Sequence, residues 1–396
     1  MTPSSPETAS ASAPSGTSLY VHVPFCVVKC GYCDFNSYVA TDDGAHGRFL
    51  DALEAELERA WPRGRGRPSS VFIGGGTPSM LDAQELGRLL AMIDARVDLR
   101  GCGEVSMEAN PESLTVERAR AARDGGVNRL SIGVQTFHAE QLRFLDRAHD
   151  AEKAEAAVRA AREAGFDNVS MDMMFGVPGE TFEMWQQDLE RALRNEPDHL
   201  SCYNLTFEAG TRLEHARQKG AVAPNDPDVD RAQFEWTRER LAAAGFTAYE
   251  VSNFAGRGGP CRHNDHYWLQ GDYVGVGPGA SSHRRGVRST NLKALEPWAR
   301  AALAGGPCSG EAETLRPLQR VAEALWLGIR RTDGVDLRAV ERRVGVPVLP
   351  RFGAAIERNV AGGLVQCDGR RLRLVGEGLL LADQVGGDFL AVGVQD

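Results

Sequence analysis

Three cysteines within eight residues, Cys26, Cys30 and Cys33, constrain this chain more than any other feature. They stand as C-x3-C-x2-C directly after an apolar run, residues 19–23, which reads as a strand feeding a loop. Thiolates are the soft ligands preferred by iron–sulfur clusters, zinc and Cu(I). Three of them on one short loop can wrap a corner of a cubane cluster and bind three of its four irons. The fourth iron is then left for a small chelating molecule. A zinc site is the competing reading, although no fourth ligand stands nearby and only a catalytic zinc manages with three.

The rest of the chain supplies a frame for such a loop. Up to about residue 207, short apolar runs at 19–23, 71–73, 104–108, 129–135, 168–175 and 199–207 alternate with helical patterns. Leu50, Leu53 and Leu57 recur at helical spacing, as do Leu86, Leu89, Leu90 and Ile93. Asp150 and Thr181 stand where N-caps belong, and Gly165 where a C′ glycine belongs. Six strand–helix units in a row predict a parallel sheet, because each strand needs a crossover to return. The fold class expected is α/β, an open, partial (βα)6 TIM-like barrel spanning 18–250, with 246–251 extending its edge.

In barrels of this kind, chemistry gathers where strands end. The six ends deliver the cysteine loop, Gly74-Gly75-Gly76-Thr77-Pro78, Glu108-Ala109-Asn110-Pro111, Gln135-Thr136-Phe137, Asp172 and Tyr203-Asn204. Residues 251–310 read as an ordered Gly-rich connector. From 311 onward, one helix is marked by Leu318, Val321, Leu325 and Ile329, a second is capped by Asp336, and a third carries Ile356 and Val360. A hairpin turning at Asp368-Gly369 follows, which together predicts a winged-helix-like domain over 311–396. That domain holds 12 arginines against 12 acidic residues. The whole chain has 45 basic and 54 acidic residues. Neither balance suits a general nucleic-acid binder, and the wing reads as a docking or lid element.

Residues 1–17, rich in Ser, Ala, Pro and Thr, are expected to be a disordered tail, without the basic start and apolar stretch of a secretory signal. No later run reaches the roughly 18 apolar residues that cross a bilayer. The expectation is a soluble cytoplasmic protein with no transmembrane segment, in which clustered cysteines indicate metal rather than disulfides.

The run CVVKCGYC after an apolar strand resembles the cluster motif of radical S-adenosylmethionine (SAM) proteins. From residue 19 onward the chain is similar to the branch containing the oxygen-independent coproporphyrinogen III dehydrogenases (HemN-like) and the HemW haem chaperones. The resemblance implies a [4Fe–4S] cluster on Cys26, Cys30 and Cys33, with SAM chelating the open iron. It puts Tyr20 and Tyr32 beside cluster and SAM, and Gly75, Gly76 and Thr77 at SAM's amino-acid end. Glu108, Gln135, Arg147 and Asp172 fall on its polar SAM contacts. Read singly, the glycine triplet is a turn, and Arg147 could be a surface ion-pair residue.

Two positions separate the subfamilies. HemN-like enzymes carry a fourth cysteine two residues after the third, where this chain has Phe35. Chemistry needing that thiol is not expected here, and the same Phe is typical of HemW-like proteins. His263-Asn264-Asp265-His266-Tyr267-Trp268 matches the HNxxYW motif associated with HemW. That makes His263 a candidate haem ligand, with Tyr267 and Trp268 against the porphyrin. Its alternative is a histidine bonded only to its own surroundings. The function implied is a haem chaperone that carries haem as cargo to recipient haem proteins. The alternatives are coproporphyrinogen III decarboxylation by radical SAM chemistry, or another radical-SAM tailoring activity. An electron donor is needed if SAM is cleaved.

Overall fold

The structure, a computed structural model, describes residues 16–39 and 44–394. These form two compact units, one of 17–265 with 272–314, the other of 266–271 with 315–394. Most of the expected tail lies outside the described residues, but Thr17 already belongs to the first strand.

The larger unit is built on six parallel strands in sequence order. They are β1 (Thr17–Val23), β2 (Val71–Gly75), β3 (Val105–Ala109), β4 (Arg129–Gln135), β5 (Val169–Phe175) and β6 (His199–Asn204). Helices cross back between them, and the reasons lie in the side chains. In Ala45–Ala60, Leu50, Leu53 and Leu57 are each at most 1% exposed. In Ala83–Val97, Leu86, Leu89, Leu90 and Ile93 are fully buried, and the Asp82–Glu85 capping box satisfies orphan N–H groups at its start. Asp150 and Thr181 cap their helices through the N–H groups of Lys153 and Met184. Gly165 ends its helix at φ +87°.

The sheet grows at both edges. Beyond β6 come β7 (Thr247–Ala248) and β8 (Asn253–Ala255), both antiparallel. On the other side β9 (Asp272–Val276) lies parallel to β1, followed by β10 (Ser281–Arg284), β11 (Val287–Asn291) and β12 (Ser309–Thr314). The stretch expected as a connector, 251–310, therefore contributes sheet strands. Its glycines masked the strand signal for a physical reason: a Cβ on Gly275 would lie 2.1 Å from the Ser281 carbonyl oxygen. Only glycine lets those neighbouring segments close up.

In the smaller unit the helices are Pro317–Ile329, Leu337–Val344 and Leu349–Ala361. Asp336 accepts the Ala339 N–H at 2.9 Å as the N-cap of the second. The hairpin pairs β14 (Val365–Cys367) with β15 (Arg371–Leu374), and β13 (Val335–Asp336) adds a third strand. A last helix, Ala382–Gly393, lies beyond the helices and hairpin that the sequence pattern predicts. Its glycines weaken the helical pattern, yet Gly386 and Gly393 are what allow close packing. A Cβ on either would strike Trp326 or Ala322 of Pro317–Ile329.

Candidate functional site

The mouth begins where β1 ends. Phe25–Cys26 pairs with Tyr38–Val39 and so ties together the two ends of the cysteine loop. Within it the Cys33 N–H donates to the Cys30 carbonyl at 3.3 Å, a tight turn between the second and third cysteines. The glycine turn after β2 is bonded to the same loop. Gly76 and Thr77 N–H groups donate to the Val23 and Phe25 carbonyls at 2.8 and 2.6 Å. The glycines are needed for this contact itself, since a Cβ on Gly76 would lie 2.7 Å from the Val23 oxygen.

Each sulfur has a donor. The Thr77 hydroxyl donates to Cys26 Sγ at 3.3 Å, Arg147 Nη1 points at Cys30 Sγ at 3.7 Å, and the Phe35 N–H serves Cys33. Burial pushes the Cys33 thiol up to about 11 and raises Cys26 as well, and each of the two is raised further by the charge of Cys30. The Cys26 and Cys33 thiols are costly to ionise and hydrogen-bond donors are aimed at all three sulfurs, which fits a cationic metal centre that would take up negative charge there. Alanine at Cys30 is expected to abolish iron and sulfide uptake in air-free reconstitution. Because the site is half-buried, the metal-free protein should lose no more than about 1 kcal/mol of stability, checked by chemical denaturation.

Around the thiols stand the remaining expected residues. Arg147 is fixed by Gly133 O at 2.6 Å and Asn110 Oδ1 at 2.8 Å, so it is not a surface ion-pair residue. Tyr32 packs beside Leu145, Met174 and Leu205, while the Tyr20 hydroxyl bonds His22 Nδ1 at 2.9 Å. Glu108 Oε2 accepts the Gly75 N–H at 2.9 Å, and burial followed by the Asp172 charge pushes its carboxyl up to about 7. Asp172 is also raised by burial and accepts the hydroxyls of Ser131 and Ser201 at 3.0 and 2.7 Å. Gln135 sits at a register shift with φ +67°, a backbone cost of the kind met at functional sites. All of these lie inside or at the carboxyl end of the strands.

His263 lies elsewhere. It is fully buried at the opposite, amino-terminal end of the strands, with Nδ1 2.8 Å from Ser70 Oγ and its ring 5.2 Å from that of Phe72. Its N–H and that of Arg262 are accepted by the Glu104 carboxylate at 3.0 and 2.7 Å. In the smaller unit, the Trp268 ring is covered by the Arg330 guanidinium at 5.2 Å. The structure thus does not bring His263 to the cysteine mouth. Two features there were not given weight in the sequence. One is Asn110, visible only as an amide at a strand end. The other is an apolar rim on the cysteine loop, with Val27 and Val28 each 41%, Val39 48% and Phe35 57% exposed.

Comparison with known proteins bears on the family and the fold. Residues 20–192 match the radical SAM superfamily and 315–381 the HemN C-terminal domain. The chain is 40% identical over 377 residues to the haem chaperone HemW of Mycobacterium tuberculosis, covering 93% of each. To HemW of Bacillus subtilis it is 32% identical over 376 residues, covering 94% of this chain and 99% of the relative. Against the mitochondrial radical S-adenosyl methionine domain-containing protein 1 of Mus musculus it is 37% identical, covering 97% and 88%. Among solved structures, coproporphyrinogen III oxidase (HemN) from Escherichia coli superposes with a TM-score of 0.82 over 96% of this chain and 91% of that one. At 24% identity, that likeness speaks for the fold.

Proposed function

This chain belongs to the HemW family of the radical SAM superfamily, and on that premise we propose that it is a haem chaperone, binding haem and passing it to acceptor proteins. Cys26, Cys30 and Cys33 would hold a [4Fe–4S] cluster, with SAM bound against it. Tyr20, Tyr32, Gly75, Gly76, Thr77, Glu108, Gln135, Arg147 and Asp172 shape the cavity around SAM. When bound, the cluster and SAM would supply a redox-sensitive element coupled to haem transfer or to oligomerisation. The observation that carries this reading is Phe35, a 57% exposed apolar ring two residues after Cys33. Together with Val27, Val28 and Val39, it makes the rim a surface suited to a flat apolar macrocycle.

His263 is not carried over as the haem ligand. A fully buried imidazole bonded to Ser70 and packed on Phe72 supports the floor of the barrel and reaches haem only if that floor opens. The test is a haem titration of air-free reconstituted protein, followed by transfer to an apo-haem protein. The expected result is a stoichiometric Soret change, retained in His263→Ala, whose melting temperature falls by several degrees as about 2–3 kcal/mol of buried contact is lost. Absence of a specific Soret change would sink the chaperone reading. Turnover of coproporphyrinogen with SAM and a reductant would establish decarboxylation instead, a reading supported only by the HemN fold.

A further inference from the structure

We infer that Asn110 is a positioning residue for the cluster, an amide that holds both sulfur-directed side chains, Thr77 and Arg147, in the orientation that sends a hydrogen to Cys26 and another to Cys30. The inference rests on the cluster assignment above. Four contacts run in series across the mouth. Thr77 Oγ1 is 3.3 Å from Cys26 Sγ, and Asn110 Nδ2 is 2.8 Å from Thr77 Oγ1. Asn110 Oδ1 is 2.8 Å from Arg147 Nη2, and Arg147 Nη1 is 3.7 Å from Cys30 Sγ.

The directions of these bonds follow from donor inventory alone. A guanidinium has donors and no acceptor, so the amide must present its oxygen to Arg147. Its NH2 then faces Thr77, whose oxygen must accept. With one lone pair engaged by the amide, the Thr77 hydroxyl keeps its single proton for the Cys26 sulfur at 3.3 Å. At the other end, the amide oxygen and the Gly133 carbonyl both engage Nη2, which turns Nη1 toward Cys30. The amide is itself held. Its backbone N–H donates to Ser79 Oγ at 3.2 Å, and Gly133 leaves room for it, since a Cβ there would lie 2.9 Å from Oδ1. Asparagine alone among side chains of this length offers an acceptor and a donor in fixed opposition. Aspartate would keep Arg147 but accept the Thr77 proton and turn it away from sulfur.

Hydrogen bonds to cluster sulfurs favour the more negatively charged, reduced form and so help set the reduction potential. The test uses the full-length protein reconstituted without air, as wild type, Thr77→Val, Asn110→Asp and Asn110→Ser. Resonance Raman spectra in H2O and D2O read the Fe–S(Cys) stretches, and a dye-mediated reductive titration monitored by EPR reads the potential. Thr77→Val should remove one D2O-sensitive Fe–S band and move the potential negative. Asn110→Asp and Asn110→Ser should each remove the same band although neither touches sulfur, and in the Thr77→Val background they should leave that part of the spectrum unchanged. If either variant keeps the Thr77-dependent band, Asn110 does not orient the hydroxyl and the inference is wrong. If no Fe–S bands appear in wild type, the cluster assignment fails instead, an outcome distinct from this one.

Discussion

Glutamine in place of Glu180 is expected to raise the melting temperature at pH 9 and leave it nearly unchanged at pH 5. Glu180 follows β5 and is 4% exposed. Its Oε2 accepts from the Gly176 N–H at 2.8 Å and from Gln233 Nε2 at 3.0 Å, while Oε1 has no partner. Burial, and then the nearby Asp188 charge, push its carboxyl from an ordinary 4.5 up to about 8. The sign follows from linkage. Below pH 4.5 the group is protonated folded or unfolded, and it costs nothing. Between 4.5 and 8 the unfolded chain gives up its proton and the folded one does not, so stability falls as pH rises, and it levels off above 8. The full shift corresponds to a ceiling of about 5 kcal/mol, or roughly 10 °C for a unit of this size. An amide has no charge to bury, and its oxygen can keep both existing bonds. Thermal melts of wild type and Glu180→Gln from pH 5 to pH 9 should therefore diverge on the alkaline side. Parallel curves would mean that Glu180 ionises in the fold.

Two levels of organisation, local spacing and contact between distant segments, decide what was legible in the sequence. Strand order and helix register follow from apolar spacing, so β1 to β6, their crossover helices and the wing of the smaller unit emerge from residues such as Leu53, Ile93 and Leu325, all fully buried. Caps at Asp150, Thr181 and Asp336 are equally local and equally visible. What stayed hidden is set by contacts between distant segments. Asp272–Val276 looks like linker because its glycine, Gly275, serves closeness to Ser281 rather than flexibility. His263 sits in a motif that suggests a ligand, but its burial depends on Ser70 and Glu104, far away in sequence. Asn110 shows the converse. Its strand-end position marks Asn110 as near the chemistry, but the role it takes appears only when Thr77 and Arg147 close on it.

Alanine at Gly75 is expected to destabilise the protein by at least ~3 kcal/mol and to leave it unable to retain a cluster, whereas alanine at Gly165 costs only about 1 kcal/mol and leaves cluster loading intact. The two glycines have similar backbones, with φ +103° and +87°. Any L side chain pays a comparable conformational cost at either. They differ in what a Cβ would meet. Gly165 faces open space, but at Gly75 the new carbon would lie 2.2 Å from the His22 imidazole. That ring cannot step aside cheaply. Nδ1 is bonded to the Tyr20 hydroxyl at 2.9 Å, and Nε2 to the Asn36 carbonyl at 2.8 Å. Asn36 follows Phe35 in the cysteine loop, so displacing His22 pulls on the segment that carries Cys33. The Gly75 N–H also donates to Glu108, so any shift of the turn breaks a second contact inside the mouth. Chemical denaturation with iron and sulfide analysis of both variants separates the backbone term, common to the pair, from the collision, which only one of them suffers. Equal losses in stability and full cluster content in Gly75→Ala would show that the turn moves freely with respect to β1 and that the glycine is not what seats the cysteine loop.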